Sequence, residues 1–511
     1  MSSRYDTVVV GGGHNGLVAA AYLARAGLRT VVFEAREQVG GAAVTEQPFG
    51  PGYNVTTLSY VVGLLPQSLV HDLSLVRHGY HVYAQGPYFA PHSDGRYLAW
   101  PSDRPARHEQ IAKFSDKDAI AVDRWDAWLD DLAAVLGPLL DSIPPRLGSR
   151  RPADLIAQAR LLRRLRRIDT RRAVEVTRLF TLSISDLLED FFESEAVKAL
   201  LSVSGVIGTW AGPRSAGTAY VMAHHHIGDL GDGKAGVWGF PRGGMGAVTQ
   251  AMAAAARSFG VEIRTSTSVS RITTSGDAVT GVVLDTGEVV SAATVVTTTH
   301  PALTFLRLVD RSALPPDFVA DIERWRSRSG VVKVNLAVDR LPEFTAKPGF
   351  DPDVHGGTIV LAESLDEVEG SFQDAVSGRS SRRPFADTAS RPSSTTPWRH
   401  TVTTSCRCSP SGCLTSGQRR RTAPRSRRTP TPWSGGSRRW RPASPAPCCT
   451  GRSSAHGTWR RSTAWSEATS STASCRGPSC STRDPPPATR TCGHPSAACT
   501  KPGRPPTAGA G

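Results

Sequence analysis

The chain is 511 residues long with a formal net charge of +15, and its nine cysteines all lie between Cys406 and Cys499. That length supports a large core and about two domains, and no apolar run reaches the length needed to span a bilayer. The charge excludes a uniformly basic, nucleic-acid-binding body: residues 390–511 hold 20 Lys and Arg against two acids, Glu467 and Asp484, a net +18, so residues 1–389 carry 15 − 18 = −3. A cysteine-free body without a secretory signal pattern leads us to expect a cytoplasmic enzyme lacking disulfides.

In chain order, Thr7–Val10 is a short apolar run of the kind a buried parallel strand requires. A glycine-rich turn follows, then a helix over Leu17–Ala26 and a second apolar strand, Thr30–Phe33. Asp116–Leu140 has helical spacing with Ile120, Trp125, Trp128, Leu129, Leu132 and Leu136 on one apolar face. Another helical block runs from Asp154 to Leu201. Short strands are expected at Val261–Ile263, Val279–Leu284, Glu288–Val290 and Thr294–Val296, around Gly-Asp and Thr-Gly turns.

Gly11, Gly13 and Gly16 form G-x-G-x-x-G between the first strand and the first helix. The first glycine permits the tight turn, the second lets a pyrophosphate approach the backbone, and the third lets helix and strand pack closely. The helix N-terminus then offers free N–H groups to the phosphates. Glu34 closes the second strand, where a carboxylate can accept hydrogen bonds from ribose hydroxyls. Gly40 and Gly41 add a second glycine pair, which a FAD site uses for close approach and an NAD domain does not need. Arg36 fits either phosphate-charge balance or a solvated surface.

The runs Val9–Leu17, Glu34–Arg36 and Gly40–Gly41 together resemble the phytoene desaturase-like FAD-dependent oxidoreductases, in their pyridine nucleotide-disulfide oxidoreductase domain-containing branch. Gly212–Tyr220 is similar to the stretch before that family's histidine-containing loop, and Trp238–Gly246 to its glycine-rich turn into a helix. Val269 with Ile272 resembles its strand whose backbone contacts the adenine side of FAD. The resemblance implies an α/β fold: a discontinuous Rossmann-type FAD-binding domain (1–75 and 235–310) and an α+β substrate domain (76–234 and 311–389). It implies hydride removal from an apolar or amine-like small molecule to the flavin, with no acid–base residue assigned, no nucleic-acid partner, and a mitochondrial matrix-side location for animal members. Oligomeric state stays open.

Two further features have modest readings. His224-His225-His226 has no carboxylate or cysteine at ligand spacing, so we expect a polar loop near the substrate cavity and no metal. Arg160–Arg172 reads as one basic amphipathic helix, suited to an anionic membrane or simply to water.

Residues 390–511 contain one Leu, one Val and no Ile, Phe, Tyr or Met, so we expect a disordered tail without strands. Their Arg, Pro, Ser, Thr, Ala and Cys are what GC-rich coding DNA yields out of frame. Joining the third base of each codon to the first two of the next, residues 483 to the end permit R-P-A-P-G-Y-A-D-L-R-T-P-I-R-G-L-Y-Q-A-G-S-A-T-H-G-G-G-G-V, a glycine-rich flavin-domain ending. Residues from 390 and from 462 likewise permit alternating strand patterns. One base lost before codon 390 accounts for all three. The competing readings are a flavin domain fused to a basic nucleic-acid-binding tail and a non-catalytic remnant.

Overall fold

The structure is a computed structural model; it describes residues 4–140, 142–166, 168–392, 400–407 and 471–475. Most of the tail expected to be disordered lies outside these residues.

The N-terminal unit forms as its pattern dictates. Strand Arg4–Val10 enters the core over its last four residues, and strand Thr30–Phe33 is buried throughout. They pair in parallel, and the first also pairs in parallel with Val289–Thr297. The six-stranded sheet runs, in spatial order, Val269–Ser275, Ala278–Leu284, Val289–Thr297, Arg4–Val10, Thr30–Phe33, Glu262–Arg264. Strands burying both faces need helices on each side. Helix His14–Arg25 and helix Met245–Ser258 cover one face through Leu17, Ala20, Ala21, Met252 and Ala256. The first helix begins at His14 rather than Leu17, because Gly13 is its N-cap. One strand, Val289–Thr297, replaces the two short ones expected there.

The second sheet has seven strands in the order Ser471–Cys475, Val331–Val338, His400–Arg407, Ala386–Pro392, Thr358–Leu361, Tyr88–Pro91, Tyr97–Trp100. This corrects the expectation that nothing after residue 390 forms strands. Ladder hydrogen bonds are made by the backbone, and Thr401, Val402, Thr403 and Thr404 are β-branched, or Thr-rich, in a way that favours extended chain. Composition averaged over 122 residues hides such a local run.

Helix Asp116–Leu140 has the expected bounds. Trp125, Leu129, Leu132 and Leu136 are buried in a cluster with Leu179, Leu187 and Val203. Ile120 is a correction: it is 77 % exposed, and Val122 takes the inward position. The block from Asp154 onward is four helices, Pro152–Leu165, Thr170–Thr181, Ile184–Glu189 and Glu195–Val206. The arginine-rich stretch is therefore two helices, not one. Asp169 separates them by accepting the Arg172 amide hydrogen at 2.8 Å, a side-chain N-cap.

Candidate cofactor site

The glycine-rich loop has no room for a larger residue at Gly11 or Gly16, whereas a Cβ on Gly13 would meet only the Gly41 Cα at 3.9 Å. Gly11 has φ +105°, and a Cβ on Gly16 would lie 2.0 Å from the Gly11 carbonyl oxygen. Thr298, following strand Val289–Thr297, donates its hydroxyl to that same carbonyl at 3.1 Å. Sequence reading missed Thr298, because only the parallel pairing brings residue 298 beside residue 11.

Glu34 is buried and holds the loop from the other side. Its Oε2 accepts the Gly12 N–H at 2.7 Å and its Oε1 the Arg36 N–H at 2.9 Å. The second glycine pair returns to the first: the Gly40 N–H donates to the Gly12 carbonyl at 2.9 Å, and Gly40 forms a parallel bridge with Gly13. Gly11, Gly13, Gly16, Glu34, Gly40 and Gly41 thus meet at the N-terminus of helix His14–Arg25. Arg36 is neither fully solvated nor free. Its guanidinium pairs with Glu46 at 2.5 Å and donates to the Gly41 carbonyl at 3.3 Å. Val269 lies further along. The segment before it is tied to the same loop, Ser266 N–H to the Arg36 carbonyl (2.8 Å) and Thr267 N–H to the Glu34 carbonyl (2.9 Å). Val269 itself packs on the cluster of Val10 and Phe33.

A second glycine turn, Gly243–Gly246, opens helix Met245–Ser258. Thr45 accepts the Gly246 N–H at 3.0 Å and donates to the Gly243 carbonyl at 3.1 Å; Thr56 accepts the Met245 N–H at 3.3 Å. From Thr56 a polar path enters the core. The Thr56 carbonyl accepts from the Lys333 ammonium, and the Thr57 carbonyl accepts from Asn335 Nδ2 at 3.4 Å. Lys333 and Asn335 are 2 % and 1 % exposed. Lys333, residue 405, Asp387 and Val360 are paired in register across four strands, so Lys333 and Asp387 share one face of the sheet. Tyr60 spans them. Its ring lies 5.3 Å from the Lys333 nitrogen and its hydroxyl donates to Asp387. Burial pushes the Asp387 carboxyl up to about 7, opposed by its own backbone N–H. An ammonium, a phenol and a near-neutral carboxyl in one dry row can hold and pass a proton.

The three histidines end helix Thr218–His226, correcting the loop expected there: Thr218 to His226 contains no breaker. They diverge. His225 Nδ1 meets the Ser204 carbonyl at 2.9 Å, His226 Nε2 meets Asp130 at 3.0 Å, and His224 Nδ1 is buried without a hydrogen-bond partner among the described residues. No group of three ligating side chains is placed to hold a metal ion among the described residues.

A glycine-rich loop between parallel strands, with a buried acid holding it at the end of the second strand, is the arrangement of a dinucleotide-binding fold. Residues 16–373 match the model of the flavin containing amine oxidoreductases, and the chain belongs to that family. It is 37 % identical over 407 residues to rat pyridine nucleotide-disulfide oxidoreductase domain-containing protein 2, covering 76 % of this chain and 70 % of that one. It is 32 % identical over 311 residues to hydroxyneurosporene desaturase of Cereibacter sphaeroides, covering 58 % of this chain and 56 % of that one. Among solved structures, an oxidoreductase from Methanosarcina mazei shares the fold, with TM-score 0.51, 14 % identity and 82 % of each chain covered.

Proposed function

We propose that the chain is most of a FAD-dependent oxidoreductase that removes hydride from an apolar or amine-like substrate. The carrying observation is the meeting of the two glycine motifs at Glu34, with the Gly40 amide on the Gly12 carbonyl at 2.9 Å. The two motifs would hold the ADP moiety of a bound FAD against bare backbone, and the Glu34 carboxylate suits ribose hydroxyls. The bound flavin supplies hydride acceptance. The protein's part is to position it, exclude water and hold protons along Lys333, Tyr60 and Asp387. The likeness to a desaturase favours an apolar substrate.

We further infer that residues from 390 on are read out of frame, which impairs the chain as written. The match to the rat relative covers 76 % of this chain, leaving about a quarter of it outside that match.

The test is titration of the purified chain with FAD and with NAD, followed by anaerobic exposure of the flavin-loaded protein to polyenes and amines. FAD binding in preference to NAD, and loss of the flavin's visible absorbance with one substrate class, is the expected result. Preferential NAD binding overturns the reading.

A further inference from the structure

A helix in a folded protein normally buries one stripe of side chains. Helix Pro152–Leu165 buries none of its 14 residues. Leu155, Ile156, Leu162 and Leu165 are all exposed, Ile156 at 54 % and Leu162 at 50 %. In the connection before it Ile143 is 91 % exposed and Leu147 77 %. Nine of the 21 large hydrophobic residues found exposed among the described residues fall between 140 and 180. That concentration in one short stretch is unlike the scatter of single apolar residues on ordinary surfaces.

The same stretch is basic. Residues 146–172 contain ten Arg and two acids, Asp154 and Asp169, a net of +8. Arg172 is engaged by Asp131 at 2.7 Å, and Arg164 donates to the Pro138 carbonyl. Arg160, Arg163 and Arg166 make no ion pair among the described residues and stand beside the exposed leucines. The one aromatic residue from 140 to 180 is Phe180, and its ring is already stacked on Tyr220, 4.5 Å between centroids.

We propose that the exposed aliphatic and arginine face of residues 140–180 docks the protein on an anionic lipid surface. Ile143, Leu147, Ile156 and Leu162 enter the acyl boundary. The arginine stems lie along it with their guanidinium groups among the phosphates. The charge selects this occupant over a second copy of the chain, whose +8 faces would repel. The aliphatic, non-aromatic character selects it over nucleic acid, which a single-strand binder grips by stacking bases on rings. The helix lies on the surface and does not cross it: no described helix is long and apolar enough to span a membrane. The inference stands whatever the substrate proves to be.

The test is co-sedimentation of the full chain with phosphatidylcholine vesicles and with vesicles containing phosphatidylserine. Two variants are compared, Ile143→Ser/Leu147→Ser/Leu162→Ser and Arg160→Glu/Arg163→Glu. The basic residues after 390 are the same in every sample, so they cancel in the comparison. Wild type should prefer the anionic vesicles, and each variant should lose at least about tenfold in partitioning with unchanged thermal unfolding. Part of the wild-type binding should survive high salt, and the aliphatic variant should lose that part. The proposal is overturned if the aliphatic variant binds like wild type, if neutral vesicles bind equally well, or if single-stranded RNA responds to these substitutions more than vesicles do. Should the aliphatic variant fail to fold, the arginine pair decides alone.

Discussion

Glu34 accepts the Gly12 amide hydrogen at 2.7 Å while its other oxygen accepts that of Arg36. One buried carboxylate thus joins the phosphate-binding turn to the chain that leads into the second glycine pair. It holds the cradle in shape before any ligand arrives, and it remains able to accept from a ribose hydroxyl.

Glu34→Ala should therefore weaken FAD binding by about 1.5–3 kcal/mol, the worth of a charge-assisted acceptor. Fluorescence titration checks this. Unchanged affinity would mean that the carboxylate serves only the backbone of the turn.

Two glycine substitutions should have opposite signs. Gly16→Ala puts a methyl 2.0 Å from the Gly11 carbonyl oxygen and should destabilise by about 1–3 kcal/mol as the helix is forced off the strand. Gly370 lies inside helix Leu365–Val376 with nothing within 4 Å of the added methyl. Gly370→Ala should stabilise by about 0.5–1 kcal/mol. Denaturant unfolding of the two variants side by side decides both.

The centre of the first sheet was legible because the buried parts of Arg4–Val10 and Thr30–Phe33 are short, mostly apolar runs on either side of a glycine-rich turn. Thr30–Phe33 has the bounds expected from sequence. The second sheet was not. Strand Val331–Val338 reads Val-Val-Lys-Val-Asn-Leu-Ala-Val, and alternation assigns Lys333 and Asn335 to water. Both instead face the carbonyls of Thr56 and Thr57, partners 277 and 278 residues away that no local pattern names. Asp387 was hidden for the same reason. Its neighbours Lys333 and Tyr60 meet it only across the assembled sheet.

The pH dependence of Asp387 has a definite sign. Its carboxyl rises from an ordinary 3.8 to about 7 in the folded protein, so folding takes up a proton between those values. Native stability from this group is full below about 4, falls as pH rises toward 7, and is lost above that, a change on the order of 4 kcal/mol. Asp387→Asn keeps a neutral side chain and should remove this slope. The difference in denaturation midpoint between variant and wild type should grow in the variant's favour from pH 5 to pH 8. A constant difference would show that Tyr60 and Lys333 keep the carboxylate ionised in the fold.

The last prediction concerns residues 390 onward. In the second sheet, strand His400–Arg407 lies between Val331–Val338 and Ala386–Pro392, so the fold requires a strand where the out-of-frame reading begins. The shifted frame also permits a strand there, H-H-V-M-S-M-F. Further on it permits a glycine-rich run, the ending that the family resemblance implies for a FAD domain. Restoring one base before codon 390 should therefore give a soluble yellow protein whose flavin is reduced by substrate. The chain as written should bind FAD weakly, turn over little and aggregate through its sheet edges. Gene sequencing across codons 380–400, together with flavin content and sedimentation of both forms, checks this. If the unrepaired chain purifies with stoichiometric FAD and turns over, the residues as written complete the site themselves and the frame argument fails.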